Sequence, residues 1–139
     1  MPEQPVTKTH HFEQKVLFRH CDPAGIVFFP RYYEMINDCI EDWFASATGR
    51  PWEELHRTNA VPTLNIETTF TAPSRHGDVL DLALNTTKVG TTSLGLQIVG
   101  SGEGRQRFVS RSSLVHVDTE VRPAPWSDDM RAIFKTFLI

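Results

Sequence analysis

The segment HCDPAGIVFFP, residues 20–30, holds one carboxylate, Asp22, directly before the sequence Pro-Ala-Gly. A carboxylate can act as a nucleophile or as a general base that activates water. Apolar residues 26–29 follow, and then Pro30, which suits the first turn of a helix. The first N–H groups of a helix are unpaired and lie at the positive end of its dipole, so they can stabilise an oxygen that becomes negative. The sequence therefore predicts an acid close to a donor site for an oxyanion.

Other interpretations of these residues are also possible. An aspartate before proline is commonly a turn residue that accepts a hydrogen bond from its own backbone. His20 and Cys21 precede Asp22, but neighbours on a strand point to opposite faces, and no third residue that would orient a thiol–imidazole pair is evident. The six histidines lack metal-ligand spacing, so we expect neither a metal nor another cofactor. GSGEGR has no strand-to-helix context and is predicted to be a hairpin loop instead of a phosphate loop.

A long amphipathic helix is predicted from about Pro30 to Ala47, with Gly49 just past its end. Its apolar stripe recurs at three- and four-residue spacing and comprises Tyr32, Tyr33, Ile36, Cys39, Ile40, Trp43, Phe44 and Ala47. We expect this stripe to form the core, and a sheet to wrap it. Residues 51–57 predict a shorter helix.

Strand patterns lie on both sides of this helix. Residues 11–19 predict a first strand with Phe12, Val16 and Phe18 on one face. Four further strands are predicted, separated by short turn sequences that favour antiparallel pairing, and they lie within VPTLNIETTFTAP, DVLDLALNTTKV, SLGLQIVGSGE and RQRFVSRSSLVHVD. SDDMRAIFKTF predicts a closing helix with Ser127 as its N-cap.

The composition fits a single folded domain, residues 1–139, in which residues 1–9 are expected to be flexible and His10 and His11 to belong to that tail. Hydrophobic residues make up 40% and charged residues 22%. A net charge of −3 gives no reason to expect binding to nucleic acid or membrane. One helix against one antiparallel sheet leaves the other sheet face partly bare, so we expect an oligomer.

The expected location is the cytoplasm. No apolar run approaches the roughly 20 residues needed to span a bilayer, and the first residues, MPEQPVTKTHHFEQ, lack the apolar centre of a signal peptide. The two cysteines, Cys21 and Cys39, are expected to be free thiols in that compartment.

The segment HCDPAGIVFFPRYYE resembles the active-site segment of the 4-hydroxybenzoyl-CoA thioesterases, the Pseudomonas-type branch of the hotdog superfamily. D-P-A-G-I-V, an aromatic pair, a proline and a helical tyrosine match in register, whereas VP, DVL and VHVD…VRP match more loosely, over roughly residues 11–125. The resemblance implies an α+β hotdog fold, in which an antiparallel five-stranded sheet wraps the long helix and a short helix closes the chain. It also implies a homodimer or homotetramer with sites at the subunit interface.

The resemblance further implies hydrolysis of an aromatic or short acyl-CoA to the free acid and CoA. Asp22 matches the catalytic aspartate, and the backbone amide of Phe29 matches the donor that polarises the thioester carbonyl. The family has tyrosine or histidine at that second position, and phenylalanine retains only the N–H. Gly25, Phe28 and Tyr32 are expected beside the substrate.

Two departures from the family pattern concern substrate recognition. VGTTS, residues 89–93, stands where the family has consecutive basic residues for the CoA phosphates. Arg122 matches a family arginine, and Lys88, Arg105 and Arg107 are further candidates for the nucleotide. Asn37 replaces an acid that contacts a hydroxylated ring.

Four alternatives to an acyl-CoA thioesterase remain open at this point. The first is a thioesterase for an acyl-carrier protein, and the second is a module that binds an acyl group or CoA without turnover. A purely structural oligomer is the third. The fourth is a dehydratase, for which His20 is the sole candidate base.

Overall fold

An antiparallel sheet wraps around one long helix in the computed structural model, which describes residues 6–139. In chain order the elements are β1 (His10–Lys15), a 3-10 turn (Phe18–His20), α1 (Phe29–Thr48), α2 (Trp52–Leu55), β2 (Thr63–Phe70), β3 (Val79–Val89), β4 (Ser93–Gly102), β5 (Arg105–Val115) and α3 (Asp128–Lys135). The five strands lie in the order β1-β3-β4-β5-β2, and every pairing is antiparallel. The predicted α+β architecture with a short C-terminal helix is therefore confirmed.

The helix α1 carries the apolar stripe that the sequence predicts. It begins at Phe29 and ends at Thr48, and Gly49 ends it with a φ of 67°, a conformation that glycine adopts without steric cost. Its buried residues join one core cluster with the buried leucines of β3 and β4, including Leu82 and Leu96. This packing fixes the position of the helix start relative to the sheet.

The first strand is shorter than predicted. It ends at Lys15, and the chain then forms the 3-10 turn. The side chain of His20 closes this turn, because its Nδ1 accepts a 2.8 Å hydrogen bond from the N–H of Leu17. Phe18 consequently points outward and is 80% exposed, whereas Val16 is fully buried.

The segment before β1 is tied to the end of the chain. The N–H of Lys8 donates to the carbonyl of Thr136 at 2.9 Å, and the side-chain amide of Asn85 donates to the carbonyl of Lys8 at 2.9 Å. Lys8 is thus hydrogen-bonded to the rest of the fold, the flexibility of residues 1–9 stays a prediction, and residues 1–5 lie outside the described residues. His10 and His11 are part of β1 and not of a tail.

The closing helix α3 begins as the sequence predicts. The hydroxyl of Ser127 accepts a 3.2 Å hydrogen bond from the N–H of Met130, which satisfies one free donor at the helix start. Among residues 6–139, no helix is long and apolar enough to cross a membrane.

Candidate active site

Asp22 opens a tight turn that its own side chain stabilises. The carbonyl of Asp22 accepts a hydrogen bond from Gly25 N–H at 2.9 Å, and its Oδ1 accepts one from Ala24 N–H at 2.9 Å. Gly25 has a φ of 81°, which side chains rarely tolerate, so glycine is required by the backbone conformation. Oδ2 makes no hydrogen bond within the described part of the chain, so one carboxylate oxygen is held and the other is free.

The turn leads into the first residues of α1. Phe28 is the extended N-cap, and its N–H donates to the carbonyl of His20 at 2.9 Å. Phe29 is the first helical residue, and its N–H meets no acceptor among residues 6–139. The structure therefore has an unpaired backbone donor seven residues after Asp22, as a helix start requires.

An apolar pocket of about 630 Å³ lies beside this helix start. Its lining comes from the turn, from α1 and from the end of β2 with the segment that follows, and comprises Ile26, Val27, Phe29, Tyr32, Phe70, Thr71, Ala72 and Pro73. The ring of Phe70 lies 6.2 Å from that of Phe29 and 5.5 Å from that of Tyr32. The volume and the aromatic walls suit a small apolar or aromatic ligand.

Tyr32 is the buried polar residue of this pocket. It is 4% exposed, and its hydroxyl lies 2.9 Å from Ser74 Oγ. Burial raises the pKa of the Tyr32 phenol above its ordinary value. The phenol is therefore neutral near pH 7 and contributes no charge to the pocket.

Five of the predicted site residues do not line this pocket in a single chain: Asp22, Gly25, Phe28, Asn37 and Arg122. Phe28 is 47% exposed, and its ring contacts that of Phe29 at 5.6 Å without lining the pocket. Asn37 lies in a second cleft of about 400 Å³, whose lining also includes Pro62, Thr63 and Val121. Arg122 is exposed and forms a 2.6 Å ion pair with Glu120.

His20 and Cys21 do not form a thiol–imidazole pair. His20 is 2% exposed, its ring accepts from Leu17 N–H, and burial lowers its pKa. The thiol of Cys21 instead contacts the carbonyl of Leu17 at 3.8 Å. No group of three metal-ligating side chains occurs within residues 6–139.

The position of Arg107 differs from the one expected from the sequence. It was expected near the nucleotide, but it is 5% exposed and its guanidinium donates a 2.8 Å hydrogen bond to Asp78 Oδ2. The same guanidinium lies 3.1 Å from Ser74 Oγ. Sequence reasoning missed Ser74 and Asp78 because both lie in a loop with turn composition.

A comparison with known protein families agrees with this fold. The family described as the thioesterase-like superfamily matches residues 16–134. The chain therefore belongs to the thioesterase-like superfamily.

Individual relatives have the same fold. A 4-hydroxybenzoyl-CoA thioesterase of Pseudomonas sp. (strain CBS-3) is 27% identical over 73 residues, which are 50% of this chain and 52% of that protein, so the match spans about half of the relative. A gentisyl-coenzyme A thioesterase structure is 25% identical, with a TM-score of 0.78 over 89% of this chain and 99% of that one. A 1,4-dihydroxy-2-naphthoyl-CoA thioesterase from Synechocystis is 20% identical, with a TM-score of 0.84 over 92% and 96% of the two chains. The predicted resemblance and hotdog fold are confirmed.

Proposed function

We propose that this protein is an acyl-CoA thioesterase that hydrolyses an aromatic or short acyl-CoA to the free acid and CoA. The observation that carries the proposal is the joint position of three features. The Asp22 carboxylate lies in the turn that precedes α1, and the Phe29 N–H at the start of α1 is unpaired. The apolar pocket is lined by Phe29 and by Ile26, whose carbonyl accepts a 3.0 Å hydrogen bond from Asp22 N–H. Thioester hydrolysis needs these three components: an acid–base or nucleophilic group, an oxyanion donor and a site for the acyl group.

Asp22 is proposed as the nucleophile or the general base. Its Oδ1 is fixed by Ala24 N–H, which orients the carboxylate and leaves Oδ2 to attack the carbonyl carbon or to take a proton from water. The developing negative oxygen would be stabilised by the Phe29 N–H, which lies at the positive end of the α1 dipole. Gly25 is proposed to keep the turn close to the substrate.

The aromatic preference rests on the pocket walls. Phe29, Phe70 and Tyr32 present rings at centroid distances typical of aromatic packing, and a bound aryl group can extend that cluster. The relatives with hydroxybenzoyl and gentisyl substrates are consistent with this assignment. Phe28, with its half-exposed ring beside Phe29, is proposed to contact the substrate at the mouth.

We propose a homodimer formed through β2, with a tetramer as a further expectation. β2 is an edge strand, and Leu64 and Ile66 on it are 66% and 39% exposed. Such an exposed apolar edge is a template for pairing with another strand. In an antiparallel β2–β2 pair, the Thr63 end of one copy meets the Phe70 end of the other.

This pairing would complete the site. Thr63 borders the second cleft, which contains Asn37, whereas Phe70 borders the apolar pocket. A second copy would therefore bring its own Asn37 close to the acyl pocket of the first. Arg122, one residue after Val121 of the same cleft, would come with it and could contact the CoA phosphates.

CoA is the proposed carrier, and an acyl-carrier protein is the alternative. The turn between β3 and β4 has the sequence VGTTS and offers hydroxyl and amide groups without positive charge. Arg122 is partly neutralised by Glu120. We therefore expect weak nucleotide recognition. The cytoplasmic location remains a prediction from the sequence.

A thiol-release assay against a panel of acyl-CoAs tests the proposal. Benzoyl-CoA, 4-hydroxybenzoyl-CoA, acetyl-CoA and a long-chain acyl-CoA would be compared at equal concentration. We expect turnover of at least one aryl or short acyl thioester and less turnover of the long chain, because the aromatic walls of the pocket favour a compact ring. Acyl-CoA binding without release of thiol would favour the non-catalytic binding module. In that case Asp22 would serve only to stabilise its turn, through the hydrogen bond that it accepts from Ala24 N–H.

A further inference from the structure

Arg107 is a buried cation that the proposed chemistry does not use. It lies on β5, is 5% exposed, and donates through Nη1 to Pro73 O at 3.1 Å and to Asp78 Oδ2 at 2.8 Å. Its Nη2 donates to Gly102 O at 3.1 Å. Burying a guanidinium costs free energy unless its donors are paired. Both terminal nitrogens of Arg107 are paired, whereas its Nε has no partner among the described residues, so the buried charge is held through the terminal nitrogens.

The space for this guanidinium depends on Gly102. A Cβ at that position would lie 3.1 Å from Arg107 Nη2 and 2.9 Å from a methyl carbon of Leu80. Both distances are shorter than ordinary contacts. The fold therefore leaves room for the arginine by omitting a side chain on the neighbouring strand.

Arg107 forms hydrogen bonds to the pocket wall that follows β2, both through its main chain and through its side chain. Its carbonyl accepts from Thr71 N–H at 2.8 Å, and its Nη1 contacts the carbonyl of Pro73. Both residues line the pocket. A single residue of β5 thus fixes the segment that follows β2.

The same guanidinium reaches the turn of Asp22 through Ser74. Nη1 lies 3.1 Å from Ser74 Oγ, which in turn lies 2.9 Å from the hydroxyl of Tyr32. The carbonyl of Ser74 accepts a 2.9 Å hydrogen bond from Val27 N–H, two residues before Phe29. Ser74 therefore connects the arginine to the residues that lead into α1.

Asp78 strengthens this arrangement. Its Oδ2 accepts from Arg107 Nη1 and from Arg75 N–H at 2.9 Å, and these hydrogen bonds lower the pKa of its carboxyl. Asp78 and Ser74 are thus held by the same nitrogen of Arg107. The Arg107 side chain therefore contacts loop 73–78 at three atoms: Pro73 O, Ser74 Oγ and Asp78 Oδ2.

We propose that Arg107 is a positioning residue for the candidate active site: its guanidinium fixes the loop 73–78, and Ser74 of that loop holds Val27 and Tyr32 in the geometry that hydrolysis needs. This inference rests on the proposed function. It differs from a general stabilising role because it assigns the arginine an effect on the turn and on the chemical step. A small misplacement of reacting groups can reduce a rate on the order of a hundredfold.

Arginine is required at this position because its planar fork serves several acceptors at once. A lysine at 107 could keep the attraction to Asp78 but would supply a single nitrogen, so it could not also hold Gly102 O on the other side. Methionine would keep the apolar stem and supply no donor. The two substitutions therefore separate charge from geometry.

The test compares Arg107→Met, Arg107→Lys and a matched control, Arg111→Met. Arg111 is an exposed arginine on the same strand, and its Nε donates to Gln97 Oε1 at 3.1 Å. Hydrogen–deuterium exchange of the free protein would be followed for peptides covering residues 22–29, together with kcat and KM for the best thioester from the panel.

We expect Arg107→Met to exchange faster in residues 22–29 and to lose about tenfold to a hundredfold in kcat, with a smaller change in KM. Arg107→Lys should lie between it and the wild type, and Arg111→Met should match the wild type. Unchanged exchange in residues 22–29 together with unchanged kcat, even with a lower Tm, would overturn the proposal. If Arg107→Met does not fold, the proposal is tested with Arg107→Lys, by the exchange of residues 22–29 and by kcat. A wild-type protein that hydrolyses no thioester would refute the proposed function, and the exchange data would still test the connection to the turn.

Discussion

The rings of Tyr32 and Phe70 lie 5.5 Å apart, and this contact joins the start of α1 to the end of the edge strand β2. The apolar pocket is therefore formed by a helix and by the strand that is free to pair with a second copy. Changes at the β2 edge and changes at the pocket should consequently affect each other.

The first prediction concerns the β2 edge. Leu64→Lys should weaken self-association, because a charge on an exposed edge opposes pairing with another strand. Val79→Lys is the control, since Val79 is also exposed, at 47%, but lies on β3. Light scattering at micromolar concentration should give a dimer or larger for the wild type and the control, and a smaller species for Leu64→Lys. A monomeric wild type would contradict the proposed interface.

Cys21 should be dispensable. Burial raises the pKa of the Cys39 thiol to about 12, so an alkylating reagent should modify Cys21 and spare Cys39. We expect Cys21→Ser to retain most of its activity and to resist inactivation by the reagent. Loss of activity in Cys21→Ser, combined with inactivation of the wild type, would mean that the thiol takes part in the chemistry.

Recognition of the nucleotide should be weak and nearly independent of salt. The VGTTS turn itself is uncharged, although Arg131 Nε donates to Gly90 O of this turn at 3.2 Å, and Arg122 is exposed and paired with Glu120. The two places that the family resemblance assigns to the CoA phosphates therefore offer less positive charge than a run of basic residues would. We expect kcat/KM for a pantetheine thioester to approach that for the CoA thioester of the same acyl group. A loss above about a hundredfold, roughly 2.7 kcal/mol, would reveal a nucleotide site elsewhere. Arg122→Ala would then be the first variant to measure.

The Arg107–Asp78 pair should make stability depend on pH in the acid range. Arg107 lowers the folded-state pKa of Asp78, so the contribution is fully present above the unfolded-state pKa of about 3.9 and is lost as pH falls through the folded-state value. Asp78→Asn should therefore lower the Tm near pH 7 and differ progressively less from the wild type below about pH 4. Asp38→Asn, at an exposed site of α1, serves as the control. A Tm difference that persists undiminished at low pH would show that the pair does not act through ionisation.

The elements of this fold could be predicted where local patterns determine them. The stripe of α1, the glycine after it and the Ser127 cap are local features, and all three are confirmed. The end of β1 is different. Alternation predicts Phe18 on the buried face, but the His20 ring bonds to the backbone of Leu17 and turns the chain outward.

The site was predictable only in its sequence-local part. Asp22 and Phe29 lie on one short segment, so the turn at Asp22 and the unpaired N–H of Phe29 could both be expected from the local sequence. The register between β4 and β5 shifts at Arg107, because Gly100 pairs with Phe108 and Ser101 pairs with Gln106. This shift allows two consecutive residues, Arg107 and Phe108, to be buried. No sequence pattern reveals such a shift, and Ser74 and Asp78 reach the arginine from a distant loop.

The most direct test of the central claim is kcat/KM of Asp22→Asn with the best acyl-CoA of the panel. Asparagine keeps an Oδ1 that can accept from Ala24 N–H, so the turn should persist while the carboxylate is lost. We predict a loss on the order of 10²–10⁴-fold, with an unchanged Tm and unchanged acyl-CoA binding by calorimetry. Asp38→Asn should remain fully active. Activity of Asp22→Asn within about twofold of the wild type would contradict the assignment of Asp22 to the chemical step.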